Sequence, residues 1–129
     1  MTTFTIISAT ETDVVALGQS REEVRAALGT HRTLRRTPES EEADHFVDSG
    51  AIATYSPKGE LVLVEMHDPA LVMLDGVQLM GQTVDDITRA LAERGIDVVH
   101  DEVGATVPSM AVGLYAPGGK VEGVGLGSD

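Results

Sequence analysis

The side chains best suited to metal chemistry in this sequence are four histidines, three of which stand beside an aspartate. The adjacent pairs are Asp44-His45, His67-Asp68 and His100-Asp101, whereas His31 stands apart. Imidazole and carboxylate groups are zinc ligands, but neighbours in a strand point to opposite faces, and neither HExxH nor His-x-His spacing occurs. We therefore expect no metal site and no cofactor. The alternative is a small metal- or ligand-binding enzyme that uses His45, His67 and His100.

Residues that could support nucleophilic or phosphate chemistry are few. Ser56 and Ser109 are the eligible hydroxyls, yet neither stands in a Gly-x-Ser-x-Gly motif. Gly118-Gly119-Lys120 resembles part of a phosphate-binding loop, but a strand pattern follows Lys120 where that loop requires a helix. We predict no catalytic residue, and a chain that is not an enzyme.

The overall charge limits the partners. The 129 residues include 9 Lys and Arg against 21 Asp and Glu, which gives a net charge of −12. Such a surface repels nucleic-acid phosphates and anionic membranes, and it suits solubility or a basic protein partner. There is no cysteine, so disulfides and thiolate chemistry are excluded. We expect a protein partner, with a homodimer as a further possibility.

Targeting signals are not evident in the chain. The first residues, Met1-Thr2-Thr3-Phe4, carry no positive charge, and the apolar run that follows is too short for a signal core. The run at residues 61–64 is far shorter than a membrane span. The sequence therefore predicts a cytoplasmic location.

Two short segments of the chain have similar sequences, and each predicts a helix. Residues 18–28 align with residues 81–91 at an offset of 63, with Gly, Gln, Ala and Leu identical. Ser20 and Thr83 are N-cap residues, each followed three positions later by an acid, as in a capping box. Gly29 and Gly95 then predict the C-terminal ends.

Two β-hairpins repeat in the same way. Residues 55–61 align with residues 115–121, each with a proline in the turn and a glycine two positions later. The run at 61–64 is apolar throughout and predicts a strand covered on both faces. Residues 35–44, which are polar and contain proline, predict a surface loop.

Together these patterns predict a single domain over residues 1–129 with internal repeat units at roughly 1–67 and 68–129. Two matched blocks in one order indicate duplication of a supersecondary unit. We expect an α+β fold with a mostly antiparallel sheet and both helices on one face. A ferredoxin-like arrangement is the alternative.

The candidate binding residues lie in and beside the hairpins. Tyr55 and Tyr115 occupy equivalent positions and suit anchors on a binding surface. The carboxylates expected to steer a basic partner are Glu60, Glu65 and Glu122. We predict that they act through the sheet face opposite the helices.

The repeated Gly-Gln-Ser/Thr, two acids, Val/Ile and closing Leu and Gly, followed by a hairpin, resembles the small-lipoprotein family SmpA/OmlA (BamE). It is also similar to the tandem-repeat β-lactamase inhibitor proteins, which double a helix-then-sheet unit. The resemblance covers residues 17–29, 51–66, 80–95 and 110–126. It implies a scaffold that binds other proteins, such as an inhibitor, an immunity protein or a regulatory subunit. The sequence departs from these relatives in one respect: it has no cysteine, so it can carry neither the lipid-anchored cysteine nor the disulfides that the resemblance would imply.

Overall fold

The computed structural model describes residues 2–35, 37–39 and 42–127. These residues form two α-helices, α1 at Arg21–Leu28 and α2 at Val84–Ala92. The strands of the first half are β1 (Thr3–Ser8), β2 (Glu11–Thr12), β3 (Arg32–Leu34), β4 (Ala43–Phe46), β5 (Ala51–Tyr55) and β6 (Leu61–His67). Those of the second half are β7 (Leu71–Leu74), β8 (Val77–Gln78), β9 (Val99–His100), β10 (Gly104–Val107), β11 (Val112–Tyr115) and β12 (Gly123–Gly127). A short 3-10 helix covers Pro108–Met110.

The strands form two sheets. An eight-stranded sheet has the order β3-β4-β5-β6-β12-β11-β10-β9, and all its neighbours are antiparallel. A four-stranded sheet has the order β2-β1-β7-β8, with β1 and β7 parallel. The fold is therefore α+β and largely antiparallel, as predicted, but the smaller sheet is separate and contains a parallel pair.

Both halves contribute their elements in the same order. Each places two strands in the four-stranded sheet, then a helix, then four strands in the eight-stranded sheet. The halves meet at the centre of each sheet, where β1 pairs with β7 and β6 pairs with β12. In the larger sheet Val64 lies opposite Leu126, and Met66 lies opposite Val124.

Both helices begin at the predicted N-cap residues. The Ser20 hydroxyl accepts a hydrogen bond from the Glu23 amide, and the Glu23 carboxylate accepts one from the Ser20 amide, which completes a capping box. The Thr83 hydroxyl accepts from the Asp86 amide. The carboxylate of Asp86 pairs instead with Arg89, three residues further along the same helix.

The helices end differently. Gly29 is the C-cap of α1, with φ 86°. By contrast, α2 ends at Ala92 with Glu93 as its C-cap, and Gly95 lies in the turn that follows. Gly95 has φ 74° and donates its amide to the Ala92 carbonyl, so its left-handed backbone reverses the chain.

The two predicted hairpins are confirmed, as β5–β6 and β11–β12. Their turns close alike, because the Gly59 amide donates to the Ser56 carbonyl and the Gly119 amide donates to the Ala116 carbonyl. Both glycines have positive φ, 81° and 94°, which favours glycine over residues with a side chain.

The prediction of a surface loop over residues 35–44 is wrong at its end, and residues 36, 40 and 41 of that stretch lie outside the described residues. β4 begins at Ala43, and both Ala43 and Asp44 are buried between β3 and β5. The polar sequence hid this strand, since a buried carboxylate occurs only where ionic or hydrogen-bonding partners offset its desolvation.

Both helices cover one face of the eight-stranded sheet. Directly paired residues share a face, and the row Ala105, Leu114, Val124, Met66, Ala51 and Phe46 is buried across six strands. Val24 and Leu28 of α1 and Ile87 and Leu91 of α2 belong to the same buried cluster. We call this the helix face, and the opposite one the open face.

Among the described residues, no helix is long and apolar enough to cross a membrane.

Candidate functional site

The open face carries one continuous row of paired residues from β4 to β9. The row runs through His45, Ile52, Glu65, Gly125, Gly113, Thr106 and Val99. At the usual strand spacing it extends roughly 29 Å. The residue types in this row therefore determine what the open face can bind.

Glycines form the floor of a groove of about 540 Å³ on this face. Gly113, Gly123, Gly125 and Gly127 project no side chain from β11 and β12. At the first three, an added Cβ would meet nothing closer than 3.7 Å, so the backbone does not demand glycine there. Only Gly127 requires it, since its φ is 96° and a Cβ would collide with the Val62 carbonyl. The effect of the other three is to keep the groove deep.

The walls of the groove are apolar and acidic. Ile52 and Leu63 line one side, and Val103 and Tyr115, which is 52% exposed, line the other. Its carboxylates are Glu65, Asp101 and Glu122, and no described lysine or arginine lines it. The groove is therefore suited to a ligand that combines apolar and cationic groups.

The central strand β6 is covered on one face only. Leu61 and Val64 are buried, whereas Val62 and Leu63 are half-buried. The prediction of burial on both faces is wrong, because Leu63 points onto the open face and contributes to the groove wall.

The two tyrosines lie on opposite faces, which corrects the prediction that they are equivalent. Tyr55 is 2% exposed and faces the helices, so it cannot contact a partner on the open face. A bulge in the first hairpin places Thr54 opposite Leu63 and Tyr55 opposite Leu61. In the second hairpin Tyr115 lies opposite Gly123 without that shift. A register change of one residue exchanges the faces.

The predicted carboxylates also divide. Glu65 is half-buried and Glu122 is exposed, and both line the groove beside Tyr115. Glu60 lies outside the groove, in the β5–β6 turn, where its backbone forms an isolated antiparallel β-bridge with that of Ser20 at the start of α1. Three of the five predicted binding residues therefore share one site.

The histidines divide in a similar way. The Nε2 atoms of His45 and His67 are 3.1 Å apart on the open face. His31 packs against the Phe46 ring, and His100 contacts the Thr88 hydroxyl of α2. The alternative in which His45, His67 and His100 share one site is therefore not supported, and no group of three potential metal ligands occurs among the described residues.

The environment of His45 disfavours its charged form. Burial lowers the pKa of His45, and the proximity of His67 and of Arg32 lowers it further. The His45 ring is therefore biased toward the neutral state, in which one nitrogen donates and the other accepts.

A buried polar network on the helix face was not foreseen from the sequence. Asp44, which is 1% exposed, accepts hydrogen bonds from Arg25 Nε at 2.8 Å and Nη2 at 3.0 Å, and from the Tyr55 hydroxyl at 2.8 Å. The Arg21 guanidinium lies 5.0 Å from the Tyr55 ring centroid. The one feature of the sequence that could have pointed to this network is the spacing of Arg21 and Arg25, which places both arginines on the same side of α1.

This network controls the ionisation of its members. Burial alone raises the pKa of Asp44, but the hydrogen bonds from Arg25 and Tyr55 outweigh it and hold that pKa below its usual value. Burial and the neighbouring Asp44 carboxylate raise the pKa of the Tyr55 phenol. The network is thus a fixed ionic link between α1 and β4, buried away from the open face.

A larger cavity of about 890 Å³ lies at the end of the same sheet, between Leu17, Val62 and Pro108. Its lining is mostly apolar and holds no histidine among the described residues. Ser56, which also lines it, accepts hydrogen bonds from the Lys58 and Glu60 amides, so its hydroxyl stabilises the turn. Glu60 is the one charged side chain among the described residues that line this cavity.

The chain matches no protein-family model, no curated protein and no solved structure.

Proposed function

We propose that this chain is a non-enzymatic protein-binding module whose groove on the open face receives a basic segment of a partner protein. The observation that carries the proposal is the combination of a glycine floor, an exposed tyrosine and three carboxylates in one groove. It agrees with the resemblance to protein-binding scaffolds, which itself stays a prediction.

The glycine floor supports a protein segment as the ligand. Three of its glycines are not needed by the backbone, and each lies where a side chain would fill the groove. An extended segment can approach such a floor closely, and Tyr115 can pack against it with large contact area at low entropy cost.

The charge of the groove supports a basic partner. Glu65, Asp101 and Glu122 add their field to that of a chain with a net charge of −12. Such a field accelerates encounter with a cationic protein, and added salt screens it. Binding by occlusion of the partner's own active surface fits an inhibitor, an immunity protein or a regulatory subunit.

The test is affinity capture from the native cell with matched baits. Tyr115→Ala combined with Glu122→Lys alters the groove, whereas Glu60→Lys makes the same charge change outside it. We expect a basic protein that is retained by the wild type and by the Glu60→Lys control and is lost from the groove variant. A protein retained equally by all three baits, or no retained protein, contradicts the proposal.

Self-association is the other outcome to measure. If the groove is occupied by a second copy of the chain, sedimentation shows a mass that rises with concentration, and the groove variant abolishes that rise. A monomer at all concentrations agrees with the proposed foreign partner.

A further inference from the structure

Two histidines from different strands meet on the open face, and one of them, His67, also lines the groove. His45 lies on β4 and His67 at the end of β6, with β5 between them. Their rings cross at 61° with centroids 5.1 Å apart, and their Nε2 atoms are 3.1 Å from one another. Twenty-two positions of sequence separate the two rings, so the sheet topology brings them together.

The state of the His67 ring is fixed by its other nitrogen. His67 Nδ1 lies 2.7 Å from the Asp68 carbonyl oxygen, which can only accept a hydrogen bond. Nδ1 therefore carries the proton, and in the neutral ring Nε2 presents its lone pair toward His45. A backbone carbonyl that holds Nδ1–H is the usual outer partner of a histidine that binds a metal through Nε2.

The distance between the two rings fits a shared metal ion. Imidazole nitrogens bind zinc at about 2.0–2.1 Å, so two of them on one tetrahedral ion lie about 3.3 Å apart. The observed 3.1 Å is within a few tenths of an ångström of that separation.

We propose that His45 and His67 form a two-histidine site for a divalent transition-metal ion of the class that prefers imidazole, such as Zn²⁺. No third His, Cys, Asp or Glu converges on the pair among the described residues, so the other positions fall to water or to a donor on a bound molecule. Because these positions are open, the site binds metal with an exchangeable face.

Metal binding changes the tautomer of His45 and leaves that of His67 unchanged. Without metal, His67 Nε2 accepts, so His45 Nε2 donates the hydrogen bond between the rings. With metal, His45 must present its Nε2 lone pair, and its proton moves to Nδ1 with no net release. His67 keeps its proton on Nδ1 in both states. The site does not depend on the proposed function.

The experiment is a Zn²⁺ titration of the full chain by calorimetry. The variants are His45→Gln, His67→Gln and, as a control that changes another histidine, His100→Gln. We expect one ion per chain, binding at least about tenfold weaker in either ligand variant, and no change in the control. Binding that is equally tight in the wild type and in both ligand variants overturns the proposal.

Nitrogen-15 spectra of the wild-type histidine rings provide a second readout that does not depend on how the variants fold. Zn²⁺ should move His45 Nε2 from a protonated to a metal-bound shift, while His67 Nδ1 stays protonated throughout. Spectra in which Zn²⁺ leaves both rings unchanged, or perturbs His31 and His100 instead, contradict the site.

Discussion

The two halves of the eight-stranded sheet differ more on their surfaces than in their backbones. On the open face the first half presents side chains, including His45, Ile52 and Leu63, whereas the second presents the glycines of β11 and β12. The first half therefore supplies one wall of the groove, and the second half supplies the glycine floor and the opposite wall, with Val103 and Tyr115. The two halves supply their elements in the same order, but their different residue types leave the groove asymmetric.

The helix faces differ as well. In the first half, Arg25, Asp44 and Tyr55 link α1 to the sheet through a buried ionic network. In the second half, the helix alignment places Thr88 where the first half has Arg25. The strand pairing places Ala105 in the position of Asp44 and Ala116 in that of Tyr55. There, the Thr88 hydroxyl contacts His100 on the edge strand. The first half therefore depends on a charge that the second half does without.

Removal of the Asp44 carboxylate tests this difference with the largest effect. Asp44→Ala leaves the buried Tyr55 hydroxyl without its acceptor and Arg25, which is 36% exposed, without its ion pair. We expect a loss of about 2–3 kcal/mol in the free energy of unfolding. Urea denaturation measures it, with Asp86→Ala as the control.

The control variant, Asp86→Ala, removes an ion pair that is exposed to solvent instead of buried. Asp86 in the first turn of α2 and Arg89 in its last turn are both exposed, so Asp86→Ala should cost less than about 1 kcal/mol. Equal losses in the two variants would mean that burial of the Asp44 pair does not matter.

The same network makes a pH prediction. The pKa of Asp44 is lower in the folded chain than its unfolded value of about 3.9. Its contribution to stability is therefore present above about pH 4 and is lost as the pH falls through the lower folded pKa. The stability difference between the wild type and Asp44→Asn should shrink across that acid range in urea denaturation. A difference that stays constant to the lowest pH at which the chain folds would contradict the link.

The tyrosines test the register difference with one substitution made twice. Tyr55→Phe removes a buried hydroxyl that donates to Asp44 and should cost about 1 kcal/mol in the free energy of unfolding. Tyr115→Phe changes an exposed side chain and should alter stability by less than about 0.5 kcal/mol. Thermal or urea unfolding of both variants checks this, and similar losses would indicate that the two rings share an environment.

The helix caps give a smaller contrast. Ser20→Ala removes a reciprocal capping box, and Thr83→Ala removes a single hydrogen bond. Both should destabilise the chain by about 0.5–2 kcal/mol, with Ser20→Ala the larger. Urea denaturation of the two variants ranks them, and the reverse order would show that the Glu23 carboxylate adds nothing to its helix.

Filling the floor of the groove should have the smallest effect on stability. An alanine Cβ at Gly113 meets no atom within 4 Å, so Gly113→Ala should be neutral or stabilise the strand by about 0.5 kcal/mol. Its affinity for a partner captured by the wild type should nevertheless fall. Unfolding and binding measured on the same sample separate the two effects, and unchanged affinity would remove the glycine floor from the site.

Local features of the fold were predictable from the sequence, because their causes lie within a few residues. Ser20 and Thr83 satisfy amides three positions away, and Gly59 and Gly119 reverse the chain within their own turns. These signals gave both helices and both hairpins. They also placed Glu65, Tyr115 and Glu122 in strands or turns that reach one face.

The remaining features depend on pairing between distant segments. The buried state of Asp44 requires Arg25, nineteen positions earlier, and the His45–His67 contact spans 22 positions. The opposite faces of Tyr55 and Tyr115 follow from a bulge whose position no local pattern indicates. Sequence similarity between the halves predicted equivalent elements, but one residue of register decided which side chains reach the surface.

The most direct measurement is the association rate of a captured partner with the wild type, Glu122→Lys and Glu60→Lys at increasing ionic strength. If the groove receives a basic segment, the wild-type rate falls steeply with salt, Glu122→Lys is slow even at low salt, and Glu60→Lys stays closer to the wild type. A rate that ignores salt, or that drops equally for both substitutions, would show that the partner does not enter by this groove.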